Sequence, residues 1–109
     1  MKLRLDKPWL DLTAENVARL SGQLGVFQIA DAAGTVVYIG YAGGKSLFGL
    51  RSEIGKFAGS PRAGAARFRY EVNQQYQTRY RELLMLHVSD HGAVPELNRD
   101  DHIRLGRIG

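Results

Sequence analysis

The fold of this chain is decided by residues 25–40, which read GVFQIADAAGTVVYIG. Two apolar runs, 25–30 and 35–40, are rich in the β-branched and aromatic residues that favour strands. Between these runs, Asp31 can start a turn and Gly34 can supply the positive φ that a tight turn needs. The stretch therefore predicts an antiparallel hairpin of two strands.

The residues on either side of the hairpin predict helices. Before it, Thr13 can cap a short helix over 14–20. After it, a glycine-rich loop at 42–46 leads into a second helix, and a stop is expected at Ser60-Pro61. The inward stripe of this helix is predicted to consist of four apolar residues, Leu47, Leu50, Ile54 and Phe57.

The second half of the chain completes the predicted fold. Polar and apolar residues alternate over 67–72, which indicates a third, half-buried strand. The longest helix is predicted from about 77 to 90, with Gly92 just past its end. The order α-β-β-α-β-α predicts an α+β fold, a small three-stranded antiparallel sheet flanked by helices. We expect one domain over 1–109, with its core at about 24–98.

Composition narrows the class of protein further. The chain has 109 residues and no cysteine, so it can form neither disulfides nor thiolate metal sites. Residues 1–8 lack the apolar region of a signal peptide, and no stretch is long and apolar enough to span a membrane. The sequence therefore predicts a cytoplasmic protein with no membrane partner.

Charge is distributed unevenly along the chain. Segment 45–81 contains eight basic and two acidic residues, a net charge of +6, whereas the rest of the chain carries −2. A local basic excess is typical of proteins that bind a polyanion such as nucleic acid. The alternative is an arginine-rich surface that is merely solvated.

Two short motifs on the predicted hairpin carry a family resemblance. Gly25-Val26-Phe27 and, ten residues later, Tyr38-Ile39-Gly40 resemble the paired motif that names the GIY-YIG nuclease family. Four later residues stand in the order in which that family places its own: Arg51, Glu82, Pro95 and Asn98. The resemblance spans roughly 24–98, most of the chain.

The resemblance implies hydrolysis of phosphodiester bonds in DNA or RNA with one divalent cation, Mg²⁺ or Mn²⁺. In that family's pattern, Glu82 would hold the metal ion and Arg51 would bind phosphate oxygens. Tyr38 would position or deprotonate water, and Asn98 would brace the site by hydrogen bonds. Convergence of these side chains in one cleft is the geometric condition for this chemistry.

Basic side chains near the implied site are expected to contact the nucleic-acid backbone. Five residues are predicted to do so: Lys45, Lys56, Arg67, Arg69 and Arg79. Small members of the family usually lack a separate DNA-targeting domain, so a protein partner could supply targeting.

Each implied catalytic residue also has a structural interpretation. Arg51 and Glu82 could be ordinary surface charges on their helices. Tyr38 could be a tyrosine at the rim of the core, and Asn98 could be a turn or cap residue.

Two positions depart from the family's pattern. Phe27 stands where the first motif normally ends in tyrosine, and Gly55 stands where some members have tyrosine or histidine. Both departures remove groups that could support catalysis. The alternative hypothesis is therefore an inactive domain that binds nucleic acid without cutting it, or that binds protein.

Overall fold

The structure is a computed structural model that describes residues 4–59 and 62–99. Over these residues, four strands form one antiparallel sheet in the order β1-β4-β2-β3, and they span Leu10–Asp11 (β1), Gly25–Asp31 (β2), Val36–Ala42 (β3) and Ala65–Val72 (β4). The α-helices described are Ala14–Ala18 (α1), Gly49–Gly59 (α2) and Tyr76–His91 (α3), and a 3₁₀ turn covers Glu96–Asn98. None of the described helices is long and apolar enough to cross a membrane.

The predicted hairpin is confirmed. β2 and β3 pair antiparallel, with Phe27 opposite Gly40 and Ile29 opposite Tyr38. In the connecting turn, Oδ1 of Asp31 accepts hydrogen bonds from the backbone N–H groups of Ala33 and Thr35 at 3.0 and 2.9 Å. Gly34 follows with φ of 91°, a conformation that favours glycine.

The predicted fold class is confirmed at the level of an α+β sheet flanked by helices, but the number of strands is wrong. The structure adds β1, which pairs with β4 through Leu10 opposite Phe68 and Asp11 opposite Arg67. Two residues are too few to show an alternating pattern. β1 forms because it pairs with β4, which is distant in the sequence. Residues 10 and 11 alone do not indicate this pairing.

The start of α1 and the end of α3 follow the local signals, whereas α1 ends at Ala18 and not at the predicted position 20. Oγ1 of Thr13 accepts a hydrogen bond from the backbone N–H of Asn16 at 3.1 Å, which confirms the predicted cap of α1. α3 ends at Gly92, whose φ is 82°, also as predicted. The predicted stop of α2 at Ser60-Pro61 lies outside the described residues.

The start of α2 differs from the prediction. α2 begins at Gly49, and Leu47 is 82% exposed, so its placement on the inward stripe is wrong. Gly49 has φ of 57°, and its neighbour Leu50 donates a backbone hydrogen bond to Gln23 at 2.9 Å. This contact with the loop before β2 turns the chain into the helix two residues later than periodicity predicts.

The two faces of the sheet are covered by different elements. Phe27 and Ile29 pack in one cluster with apolar residues of α1 and α2, whereas Val26 and Ile39 pack in another with residues of α3. Neighbouring strand residues point to opposite faces of a sheet. α2 and α3 therefore lie on opposite faces, and this separation decides which predicted site residues can meet.

Candidate functional site

Tyr38 lies on β3 and packs on the α2 side of the sheet. Its ring centroid is 4.9 Å from that of Phe57 and 5.9 Å from that of Phe27. Its side chain is half-buried at the rim of the larger apolar cluster. This position agrees with the structural interpretation of Tyr38 as a core-rim residue.

Arg51 lies in the first turn of α2, on the same side of the sheet as Tyr38. Its guanidinium is 5.2 Å from the centre of the Phe48 ring, a cation–π arrangement. No carboxylate among the described residues forms a salt bridge with it. Arg51 is therefore a partly exposed cation supported by an aromatic ring.

Glu82 is placed on the other side of the sheet, because it belongs to α3. Its carboxylate accepts a hydrogen bond from Nη1 of Arg79. Nε of Arg79 also donates to Oε2 of Glu71 on β4 at 3.0 Å. The Arg79 side chain is only 10% exposed, whereas those of Glu71 and Glu82 are 23% and 39% exposed, so a largely buried cation pairs with two partly exposed carboxylates.

Electrostatics support this pairing. Burial by itself lowers the pKa of Arg79, but hydrogen bonds and charge from Glu71 and then Glu82 raise that pKa above its ordinary value. Burial by itself raises the pKa of Glu71, but hydrogen bonds from Arg79 and Asn73 bring that pKa below its ordinary value. Arg79 thus neutralises carboxylates inside the protein, which leaves it poorly placed for the predicted contact with nucleic acid.

The predicted catalytic residues do not converge. Tyr38 and Arg51 lie on the α2 side of the sheet, and Glu82 lies on the α3 side. Arg51 and Glu82 thus belong to helices on opposite faces of the sheet, an arrangement that argues against joint chemistry on one phosphate.

The residues near Glu82 do not fit the predicted divalent cation. Its carboxylate is paired with Arg79, a cation that a metal ion would have to displace. Among residues 4–59 and 62–99, no group of three or more His, Asp or Glu side chains could hold a metal ion. Mg²⁺ or Mn²⁺ at Glu82 stays a prediction from sequence.

Asn98 connects the 3₁₀ turn to β3. Its Oδ1 accepts a hydrogen bond from the backbone N–H of Ile39 at 2.7 Å, and its Nδ2 donates to the Ile39 carbonyl at 2.8 Å. The residue is 1% exposed. Asn98 therefore braces the backbone of β3, with both its amide oxygen and its amide nitrogen bonded to Ile39.

Two of the other predicted basic contacts are engaged within the protein. Nζ of Lys56 lies 3.2 Å from Oε1 of Glu53 in an exposed ion pair. The Arg69 guanidinium stacks over Trp9 at 4.1 Å, and its Nε donates to Gln28 at 2.8 Å. Burial lowers the pKa of Arg69 below its ordinary value. Lys45 and Arg67, in contrast, are exposed and form no salt bridge with the described residues.

An exposed patch lies where β3 runs into α2, and we call it the loop-end surface. Leu47 is almost fully exposed there, Phe48 is 50% exposed and Tyr41 is 41% exposed. Large apolar side chains that one short segment exposes in this way, here on both sides of the sheet, often mark a binding surface. The loop-end surface consists of five residues, Tyr41, Lys45, Leu47, Phe48 and Arg51.

Sequence reasoning found the cations of this surface but missed its apolar members. Leu47 fits the helical stripe by spacing, and Tyr41 simply continues a strand. One signal was present: Leu47-Phe48 stands between Gly44 and Gly49, in a loop too glycine-rich to begin a helix. Two adjacent bulky apolar residues in such a loop are expected to be exposed, and their exposure indicates a binding role.

The family of this chain is established by comparison. A family described as "Domain of unknown function (DUF7508)" matches residues 1–90, and the chain belongs to it. No curated protein and no solved structure matches the chain.

The predicted membership of the GIY-YIG nuclease family is therefore wrong. The hairpin itself explains the paired motif. A Cβ on Gly40 would lie 2.5 Å from the Tyr38 ring and 2.6 Å from the Phe27 ring, and a Cβ on Gly25 would overlap the carbonyl oxygen of Glu71. Both glycines are thus required by packing within this sheet, without reference to a catalytic site.

Proposed function

We propose that this domain binds nucleic acid, DNA or RNA, through the loop-end surface, and that it does so without cutting the strand. The observation that carries the proposal is the placement of Lys45 and Arg51. Neither cation has a carboxylate partner among the described residues; Arg51 lies 5.2 Å from the centre of the exposed Phe48 ring, and Lys45 is exposed in the loop before it. Cations interleaved with exposed aromatic rings suit a ligand that has both phosphates and bases.

The distribution of basic residues agrees with a restricted contact area. Of the eight basic residues in segment 45–81, three are engaged by partners inside the protein: Lys56, Arg69 and Arg79. Fewer free cations release fewer counterions when phosphate binds, so we expect moderate affinity with a shallow dependence on salt concentration.

The non-cutting part of the proposal follows from the position of Glu82. Phosphodiester hydrolysis needs groups that act on one phosphate together. Arg51 and Glu82 lie on opposite sides of the sheet, and Glu82 is paired with Arg79. No step of hydrolysis is therefore assigned to these residues.

The test is fluorescence anisotropy with labelled oligonucleotides of about twenty nucleotides at about 50 mM salt. The double variant Lys45→Ala/Arg51→Ala should bind about tenfold more weakly. The slope of its log affinity against log salt concentration should decrease by the contribution of about two phosphate contacts. The matched control is Arg62→Ala/Arg99→Ala, which removes the same charge at exposed sites elsewhere and should retain most of the affinity.

Two kinds of result would overturn the proposal. The first is no binding of any oligonucleotide by the wild-type protein, or equal loss in the control variant. The second concerns cutting: strand cleavage with Mg²⁺ or Mn²⁺ that disappears in Glu82→Ala would restore the hydrolysis that the geometry argues against.

A second candidate function, protein binding, is favoured by the outer side of α3. Met85 is 72% exposed and lines a mostly apolar groove of about 560 Å³ together with Leu86 and Thr78. Exposed methionine is common at surfaces that bind protein helices. A partner retained after nuclease treatment and lost in Met85→Glu, but not in Lys45→Ala/Arg51→Ala, would favour this function over nucleic-acid binding.

A further inference from the structure

We infer that the loop-end surface takes single-stranded nucleic acid and discriminates against the double helix, with unpaired bases stacking on Tyr41 and Phe48. The inference rests on the proposed function. It adds the class of ligand and the two side chains that select it.

Tyr41 is an aromatic platform that α3 supports and that is 41% exposed. Its ring lies nearly parallel to that of Tyr76, with centroids 5.5 Å apart and planes 15° apart, and the Tyr80 ring supports it at 4.9 Å. The Tyr76 hydroxyl accepts a hydrogen bond from the backbone N–H of Gly44 at 3.3 Å. The platform is therefore fixed to the loop, and its exposed area can extend the tyrosine stack by one base.

Phe48 is the second platform. Its backbone lies against Gly22, where a Cβ would be 3.1 Å from the Phe48 carbonyl oxygen. Half of the residue is exposed, and Arg51 lies near the ring face. A base stacked on Phe48 would bring its phosphate within reach of a guanidinium that has no carboxylate partner in the described chain.

The two platforms lie on different sides of the sheet. Tyr41 contacts α3 residues, whereas Phe48 immediately precedes α2 on the opposite face. Lys45 is exposed in the loop that joins them, and we assign it to a phosphate between the two bases. A strand that contacts both rings must bend around the end of β3.

This geometry separates single strands from duplexes. In a duplex the base faces are covered by neighbouring base pairs, and the helix is stiff over lengths far greater than this surface. A single strand can turn its bases out and follow the bend. Stacking is also tolerant of sequence, because every base has a π-face, so we expect little base preference.

The experiment compares a labelled oligothymidine of about fifteen nucleotides with a hairpin duplex of similar charge, by anisotropy at low salt. Tyr41→Leu and Phe48→Leu should each weaken single-strand binding about tenfold and leave duplex binding nearly unchanged. Tyr41→Phe and Phe48→Tyr keep a ring at each position and should retain wild-type affinity, which separates stacking from effects on folding. Met85→Leu, on the outer side of α3, is the control.

The outcomes distinguish this inference from the proposed function. One outcome is that the wild-type protein binds single strand and duplex with equal affinity, and that only Lys45→Ala/Arg51→Ala loses affinity. That outcome would overturn the inference and leave the proposed function standing. Aromatic-to-leucine variants that bind single strands as well as the wild type would also overturn it. Absence of binding to either probe would overturn both.

Discussion

At the scale of single residues, the group Glu71–Arg79–Glu82 shows how two predicted functional side chains are used for stability. Arg79 was predicted to contact nucleic acid and Glu82 to hold a metal ion. In the structure each satisfies the other's charge, and Glu71 completes the group. A largely buried cation needs such partners, because leaving it unpaired would lower the free energy of unfolding by about 3 kcal/mol or more.

This group predicts a loss of stability in acid. The folded-state pKa of Glu71 lies below its ordinary value of 4.5, so the unfolded chain binds the proton more readily. The stabilisation is therefore present above about pH 4.5 and is lost as the pH falls through the folded-state pKa. Glu71→Gln should lower the free energy of unfolding by about 1 kcal/mol at pH 7 and flatten its decline in acid.

Urea unfolding at pH 7, 5 and 3 measures this effect. Glu15→Gln, at an exposed carboxylate of α1 that forms no salt bridge with the described residues, is the control and should leave the pH dependence unchanged. An equal decline below pH 4.5 in wild type and Glu71→Gln would contradict the argument.

At the scale of elements, the β2–β3 hairpin explains why a short motif can resemble a catalytic one. Glycine at position 40 is needed because the rings of Tyr38 and Phe27 cover its Cα. Gly40→Ala should therefore cost about 1–3 kcal/mol through overpacking. Gly44→Ala is a matched control in the adjoining loop, because a Cβ there meets no atom within 4 Å.

Thermal and urea unfolding of the two alanine variants distinguish the roles of these glycines. Gly44→Ala should change the free energy of unfolding by less than about 0.5 kcal/mol. Similar effects of the two substitutions would mean that the rings near Gly40 can move aside at little cost.

Elements also show where sequence reasoning succeeds and where it stops. The turn at Asp31, the cap at Thr13 and the stop at Gly92 were predicted because each depends on a few neighbouring residues. β1 and the late start of α2 were missed because both depend on contacts distant in sequence, with β4 and with the loop before β2. The same limit applies to the candidate site: spacing placed Arg51 and Glu82 on helices, but did not indicate which face of the sheet each helix covers.

At the scale of the whole molecule, the N-terminal segment holds the α3 side together. Leu5 is buried with Val26, Ile39 and Leu83, and Arg4 pairs with Asp90 near the end of α3 through a 2.7 Å contact. Farther along, Trp9 lies beneath Arg69 of β4. A segment outside the predicted core at 24–98 thus contributes to the hydrophobic core.

Leu5→Ala tests this contribution. Because Leu5 is fully packed, the substitution should lower the free energy of unfolding by about 2–4 kcal/mol. Leu10→Ala, at an exposed leucine of the same segment, should cost less than about 0.5 kcal/mol. If urea unfolding gives equally small losses of unfolding free energy for the two variants, the N-terminal segment does not contribute to the hydrophobic core.

The amide of Asn98 has a consequence beyond its own two hydrogen bonds. Among the described strands, β3 is the last of the sheet, and its outer edge would otherwise offer the Ile39 peptide groups to any extended chain that approached. The amide imitates a neighbouring strand at this point and seals the rim against intermolecular pairing. We therefore expect Asn98→Ala to show itself first as aggregation, visible by light scattering at temperatures where the molecule is still folded.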